Sequence, residues 1–277
     1  MRRSTTSAGT ERPFLGILLL VELTVAVALL ARPAATVAPH APPPVASSTP
    51  APTSHALILR DGRTATLIPF GGARSAGLIA RITAELDSAA EAVTAFWGED
   101  WRRDIEIVAA GTDEEFGAIG GGGSDIAAAT TPARIVFAPG AAAMSDGALR
   151  IVLRHELFHY AARADTAADA PRWLTEGVAD FVGRPFQARP GPAQAADLAR
   201  LPTDADLDTA GATRSLGYDR AWWFARFVAD RYGTPTLRRL YLAACRPGHP
   251  DVATAVRGTL GADLTHVVAS WRQWLSG

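Results

Sequence analysis

The chain has 277 residues, of which 48% are hydrophobic and 20% charged, a composition that suits one globular domain with additional segments. Its 27 basic and 28 acidic residues nearly cancel, so the charge gives no indication of a nucleic-acid-binding protein. A single cysteine, Cys245, excludes a framework of internal disulfides, and we expect its thiol to be buried.

The N-terminal residues have the pattern of a membrane signal. Residues 1–13 contain three arginines and precede an apolar run over residues 14–31, whose length is close to the ~20 residues that cross a bilayer. This run is longer than the usual apolar core of a signal peptide, and Pro39 makes cleavage after Ala38 unfavourable. Glu22 interrupts it, at a cost of roughly a few kcal/mol near the bilayer centre. A signal anchor is therefore favoured over a cleaved signal peptide.

The arginines also predict the orientation of this segment. Three of them precede the run and Arg32 follows it, which places the N-terminus in the cytoplasm. The sequence thus predicts a single-pass protein of the cell membrane with an extracytoplasmic domain, or a secreted protein if the segment is cleaved. Residues 32–54, rich in proline and alanine, indicate an extended linker, and the folded domain is expected over residues 55–277.

The first part of this domain has the pattern of a small α/β unit. The predicted elements are a hairpin of residues 55–59 and 64–70 around Asp61-Gly62, a helix over 75–97, a strand over 105–109, a short helix over 112–119 and a strand over 134–138. The glycines at 120–123 lack the Lys-Ser/Thr pair of a phosphate-binding loop. We expect them to form a flexible turn beside the site.

The C-terminal part is predicted to be entirely helical. Apolar residues recur at intervals of three and four in residues 194–200, 216–232, 236–244, 251–260 and 264–275. The aromatic cluster at 222–227 has the spacing of a helix face, which favours core packing over a ligand site. The sequence therefore predicts an α+β fold, in which a small α/β half is followed by an all-helical half.

The stretch that carries the chemistry begins with an H-E-x-x-H sequence, residues 155–159, in a strongly helical context. Two histidines four residues apart lie one turn above each other on a helix, so His155 and His159 can reach one metal ion. Glu156 is then placed to contact a water molecule on that metal. Taken alone, a helical histidine pair is more often an ordinary surface or core feature.

A second helix, expected to begin at Pro171, strengthens the prediction. Glu176 follows His159 after sixteen residues, which is enough for a turn and an antiparallel return. Two imidazoles and one carboxylate leave a fourth position open, as in catalytic rather than structural zinc sites. Asp180 lies one turn after Glu176, where it can accept a hydrogen bond from a ligand histidine.

At these residues the chain resembles the gluzincin zinc metallopeptidases, the group with H-E-x-x-H and a downstream glutamate that includes thermolysin and the peptidase MA-like proteins. The similarity is close at residues 154–160 and 173–181 and looser at 216–233, and the spacing of sixteen residues is shorter than in several branches. The resemblance implies a zincin-like fold and a bound Zn²⁺. By position, it implies the zinc ligands His155, His159 and Glu176, the general base Glu156, and Asp180 as a hydrogen-bond partner of His155.

The resemblance also suggests two elements that would contact substrate. One is a strand at 134–138 lying at the sheet edge and pairing with the substrate backbone, although the sequence is equally compatible with an inner strand. The other is Tyr218, expected at a helix start, as the donor that stabilises the oxyanion. A tyrosine that merely packs at a helix end is the alternative, with Arg220 or His249 as replacement donors.

Two functions follow from these residues. The first is zinc-dependent hydrolysis of peptide bonds in a peptide or protein substrate. The alternative is a non-enzymatic envelope protein that uses the same fold for structural zinc or for binding a partner. The joint presence of Glu156 and the ligand set favours the enzyme, because only catalysis requires that glutamate. The sequence indicates neither the oligomeric state nor endo- or exopeptidase activity.

Overall fold

The computed structural model describes residues 53–123 and 125–277. The predicted cytoplasmic segment, the signal segment and nearly all of the linker lie outside these residues. Within the two described ranges, none of the helices combines the length and the apolar character that a bilayer span requires.

The described chain has the α+β architecture predicted from its sequence, with a sheet in the N-terminal half and helices throughout the C-terminal half. The strands are β1 (His55–Ile58), β2 (Thr64–Pro69), β3 (Asp104–Ala109), β4 (Ala128–Thr130) and β5 (Ile135–Phe137). The helices are α1 (Ala73–Trp97), α2 (Asp113–Gly120), α3 (Asp146–Ala162), α4 (Arg172–Gly183), α5 (Pro192–Leu198), α6 (Asp204–Asp208), α7 (Ala212–Tyr232), α8 (Thr234–Cys245), α9 (Val252–Leu260) and α10 (Leu264–Ser276). Two 3-10 turns, Pro139–Ala143 and Arg163–Asp165, flank α3.

The five strands form one sheet in the order β1-β2-β3-β5-β4. The central pairs β2–β3 and β3–β5 are parallel, whereas β1 and β4 are antiparallel to their neighbours and lie at the two edges. The prediction that the strand at 134–138 forms the edge is therefore wrong. All three residues of β5 are buried, because this strand lies between β3 and β4. The edge strand that packs against α3 is β4, which the sequence did not reveal.

Helix α1 links the sheet to the helical half. Its apolar residues Leu78, Ile82, Leu86 and Val93 recur at helical intervals and are buried. On its other side, Glu85 forms an ion pair with Arg150 of α3, at 2.7 Å between Oε1 and Nη2. Helix α1 thus packs against the sheet and also holds α3 in place.

The helices of the C-terminal half agree with the predicted ones to within a few residues, but α6 was not predicted and α7 begins earlier than expected. The aromatic residues of α7 pack in the core, as predicted, with Trp173 and Trp271 in edge-to-face contact with Phe224 at 5.2 and 5.3 Å between ring centroids. Cys245 is fully buried, also as predicted, and burial raises the pKa of its thiol to about 12.

Helix α4 is enclosed between α3 and α7 at unusually short range, and a glycine lies at each contact. A β-carbon on Gly177 would lie 2.5 Å from the carbonyl oxygen of Ala221 in α7. A β-carbon on Gly183 would lie 2.9 Å from the carbonyl oxygen of Ile151 in α3. Any larger residue at either position would push α4 away from its neighbour.

This packing predicts opposite effects for alanine at two helical glycines. Gly177→Ala should lower the free energy of unfolding by about 1–3 kcal/mol, because the added methyl group meets backbone atoms. Gly258→Ala, on the exposed face of α9 with nothing within 4 Å, should raise it by about 0.5–1 kcal/mol. Urea denaturation of both variants measures the difference. A Gly177→Ala protein as stable as the wild type would contradict the close crossing.

Candidate metal centre

Helix α3 presents both histidines of the H-E-x-x-H sequence on one face. The helix begins at a regular cap, in which the hydroxyl of Ser145 accepts a hydrogen bond from the backbone N–H of Ala148. Leu153, Leu157 and Phe158 face the core, while His155 and His159 remain partly accessible. Their Nε2 atoms lie 3.1 Å apart, so both ring nitrogens point to the same place.

Helix α4 brings Glu176 to the same place. Its Oε2 lies 3.1 Å from Nε2 of His155 and 3.5 Å from Nε2 of His159. In a tetrahedral zinc site with metal–ligand distances of about 2.0–2.1 Å, two ligand atoms lie about 3.3 Å apart. The triangle formed by the three donor atoms therefore has the dimensions of one face of such a site. Among the described residues, this His-His-Glu set is the group that could hold a metal ion.

The protonation of His155 also fits a cation at this place. Its Nδ1 lies 2.9 Å from Oδ1 of Asp180, and a proton on Nδ1 would be donated to that carboxylate. Loss of the second ring proton leaves a lone pair on Nε2 that faces both the carboxylate of Glu176 and the second imidazole. Such electron-rich atoms repel one another at 3.1 Å unless a proton or a cation lies among them. The donor set therefore matches zinc in chemistry as well as in size.

The charged groups of the site shift one another's pKa values strongly. Burial opposes the charged form of His155, but its hydrogen bonds to Asp180 and Glu176 outweigh burial and hold its pKa well above the ordinary value. Burial likewise opposes ionisation of Glu176, yet the charges of the two histidines hold its pKa well below the usual range. For Asp180, burial is outweighed mainly by Arg184, and the pKa is again lowered. The carboxylates are thus kept ionised by groups within the site.

Glu156 is held by a residue that the sequence did not indicate. The hydroxyl of Thr130, on the edge strand β4, lies 2.7 Å from Oε2 of Glu156 and 3.0 Å from its backbone oxygen. Glu156 is largely buried and is not part of the His-His-Glu set. Its carboxylate is therefore anchored by the sheet edge, on the residue that follows His155 in α3.

Tyr218 lies close to His155, although not where the sequence predicted within its helix. Because α7 begins at Ala212, Tyr218 lies almost two turns inside the helix rather than at its start. Its ring centroid is 6.4 Å from that of His155. Burial, together with the charges of Glu176 and Asp180, raises the pKa of Tyr218, so the phenol stays protonated and can donate a hydrogen bond.

The two replacement donors contact other parts of the chain. Arg220 donates from Nε to the backbone oxygen of Asp197 and lies 4.0 Å from Asp206. The His249 ring makes its contacts with Pro250 and Asp169. Of Tyr218, Arg220 and His249, Tyr218 is therefore the residue whose ring lies close to His155.

A further contact was missed in the sequence. Arg184, the residue at the C-terminal end of α4, forms ion pairs with Asp180 and with Asp219 of α7, each at 2.6 Å. The spacing of four residues between Asp180 and Arg184 is a helical ion-pair signal that could have been noticed. The partner in α7 could not, because it depends on how the two helices pack.

No family model matches the sequence, and no curated protein matches it. Among solved structures, it is similar to a variant of an M1 zinc metallopeptidase from Deinococcus radiodurans, with 15% identity, a TM-score of 0.47, and coverage of 82% of this chain and 52% of that chain. A crystal structure of an M1 zinc metallopeptidase variant from the same organism, bound to a Tyr-Ser-Ala substrate, gives 16% identity, a TM-score of 0.46 and the same coverage.

An aminopeptidase N family protein from Idiomarina loihiensis gives 11% identity and a TM-score of 0.34, with coverage of 81% of this chain and 41% of that chain. The chain thus spans about half the length of the M1 structures and less of the third. A functional assignment accordingly depends on the residues of the site itself.

The geometry predicts that the purified protein binds about one zinc ion per chain. His159→Ala removes one of the three ligands and should leave the protein without stoichiometric zinc after dialysis. His266→Ala, at an exposed histidine of α10, is the matched control and should retain the metal. Elemental analysis of the dialysed proteins measures both. Equal zinc contents in the two variants would exclude His159 as a ligand.

Proposed function

We propose that the domain is a zinc-dependent peptidase. The observation that carries this proposal is a three-ligand set together with a second glutamate, Glu156, whose carboxylate is anchored by Thr130 but is not part of the set. Three protein ligands leave room for water or substrate, which is typical of a catalytic zinc site. A structural site would instead be closed by a fourth protein ligand.

Zinc held by His155, His159 and Glu176 would supply Lewis-acid chemistry, polarising a carbonyl group and making water more acidic. Glu156 acts as the general base, taking a proton from the attacking water and passing it to the leaving amine. Thr130 holds the carboxylate of Glu156 in position for both transfers. Asp180 fixes the ring orientation and the tautomer of His155 through the contact at Nδ1.

The edge of the sheet supports a peptide as the substrate. In the described chain β4 pairs only with β5, so the backbone N–H and C=O groups on its other side have no strand partner. Thr130, which contacts Glu156, is the last residue of this strand. An extended peptide that adds to this edge would run directly past the general base. The edge strand thus provides both a binding surface and a support for the catalytic carboxylate.

The alternative is a non-enzymatic protein that uses the same site for structural zinc or for a partner. The anchored position of Glu156 favours the enzyme, since neither alternative role requires a buried carboxylate beside the ligand set. The location of the domain, tethered to the membrane or secreted, stays a prediction from the N-terminal sequence.

Replacement of the proposed general base tests the mechanism. Glu156→Gln preserves size and should retain zinc, but it should lower peptide hydrolysis by about 10²–10⁴-fold because glutamine cannot take up a proton. Glu91→Gln, on the exposed side of α1, is the matched control and should behave as the wild type. Turnover is measured on a mixture of fluorogenic peptides and an unfolded protein. Full activity in Glu156→Gln would contradict the mechanism, and a zinc-loaded wild type without turnover would support the non-enzymatic alternative.

Tyr218 is proposed as the donor to the developing oxyanion. Tyr218→Phe removes one hydroxyl group and should lower kcat by about 10²–10³-fold with zinc still bound, the usual effect of losing such a donor. Tyr232→Phe, at the other end of α7, provides the control. Steady-state kinetics and zinc content are measured for both variants. An unchanged kcat in the first variant would remove Tyr218 from the mechanism.

A further inference from the structure

Three helices meet at a chain of charged side chains behind the metal centre. It runs from His155 in α3 through Asp180 in α4 and Arg184, the residue that follows α4, to Asp219 in α7. The two oxygens of Asp180 have different partners, since Oδ1 faces Nδ1 of His155 and Oδ2 faces Nη2 of Arg184. The second terminal nitrogen of Arg184 donates to Oδ1 of Asp219.

The surroundings leave Arg184 little freedom. Its side chain is only 8% exposed, and its guanidinium carbon lies 5.0 Å from the ring centroid of Trp222. Its backbone N–H donates to the carbonyl oxygen of Asp180, which ends α4. The backbone and the guanidinium of Arg184 are thus both fixed with respect to Asp180, whose carboxylate contacts His155.

Charge explains why a cation is required there. Asp180 and Glu176 lie one turn apart on α4, and both are largely buried, so their negative charges repel each other. An arginine remains ionised at any relevant pH and can contact two carboxylates through its planar fork. A lysine has one ammonium group and cannot reproduce this geometry.

We propose that Arg184 is a positioning residue for zinc binding, which holds the Asp180 carboxylate toward His155 and ties it to α7 through Asp219. Among the described residues, Arg184 forms its ion pairs with Asp180 and Asp219, so it acts on His155 through Asp180. This inference rests on the proposed zinc site and extends it by two residues. It also joins the ligand helices to the helix that carries Tyr218.

A double-mutant cycle on zinc affinity tests this role, with chelator competition as the measurement. Arg184→Met keeps the length of the aliphatic stem and should weaken zinc binding about 10-fold, the lower end of the range for partners of ligand histidines. Asp180→Asn should weaken it by at least as much. The double variant should bind zinc no more weakly than Asp180→Asn alone, because both changes break the same connection. If Arg184 only stabilised the fold, the fold-changes in zinc affinity caused by the two single substitutions would multiply in the double variant.

Two further variants complete the experiment. Arg184→Lys keeps the charge and should give an intermediate affinity, and it provides the test if the methionine variant does not fold. Arg257→Met, which removes an exposed ion pair with Asp263, should leave zinc affinity unchanged.

The inference would be overturned if Arg184→Met or Arg184→Lys bound zinc as tightly as the wild type. It would also be overturned if the losses of zinc affinity in the two single variants multiplied in the double variant. These results would leave the proposed function intact as long as the wild type binds zinc. A wild type that binds no zinc would instead overturn both proposals.

Discussion

The close packing of α4 between α3 and α7 is the constraint on which the site depends. Gly177 and Gly183 lie on α4 at its contacts with α7 and α3, respectively, and a side chain at either position would meet backbone atoms. Only at this short range can Glu176 and Asp180 reach the imidazole of His155. The two glycines therefore contribute to the candidate metal centre although they carry no functional group.

The close packing of the helices brings several charged side chains together in a partly buried site. The negative charges of α4 are compensated within that site. Every carboxylate of α4 that turns inward has a nitrogen partner, which is the condition for keeping ionised groups out of water. Glu176 faces the two histidines, and Asp180 faces His155 and Arg184. Such a network is preorganised, because each group is oriented by its neighbour before a metal or substrate arrives.

The two halves of the fold contribute different parts of the proposed chemistry. The helices supply the ligand set, its orienting groups and Tyr218. The sheet supplies Thr130 and a strand edge on which an extended peptide can bind. Helix α3 lies at the junction, since one of its faces carries the histidines while Glu156 reaches β4. A site at this boundary can therefore combine the rigid geometry of packed helices with the peptide-binding capacity of a sheet edge.

The sequence by itself determined most of the helices and the ligand candidates, because these follow from local periodicity. His155 and His159 share a helix face because they are four residues apart, and so do Glu176 and Asp180. This holds whatever the position of the two helices in the fold. Tertiary structure alone decided that β4 forms the edge, that Thr130 contacts Glu156 across 26 positions, and that Arg184 reaches Asp219 across 35. Strand order and helix crossings depend on contacts between distant segments. Apolar periodicity reports only which face of a segment is buried, and it does not identify the segment that covers that face.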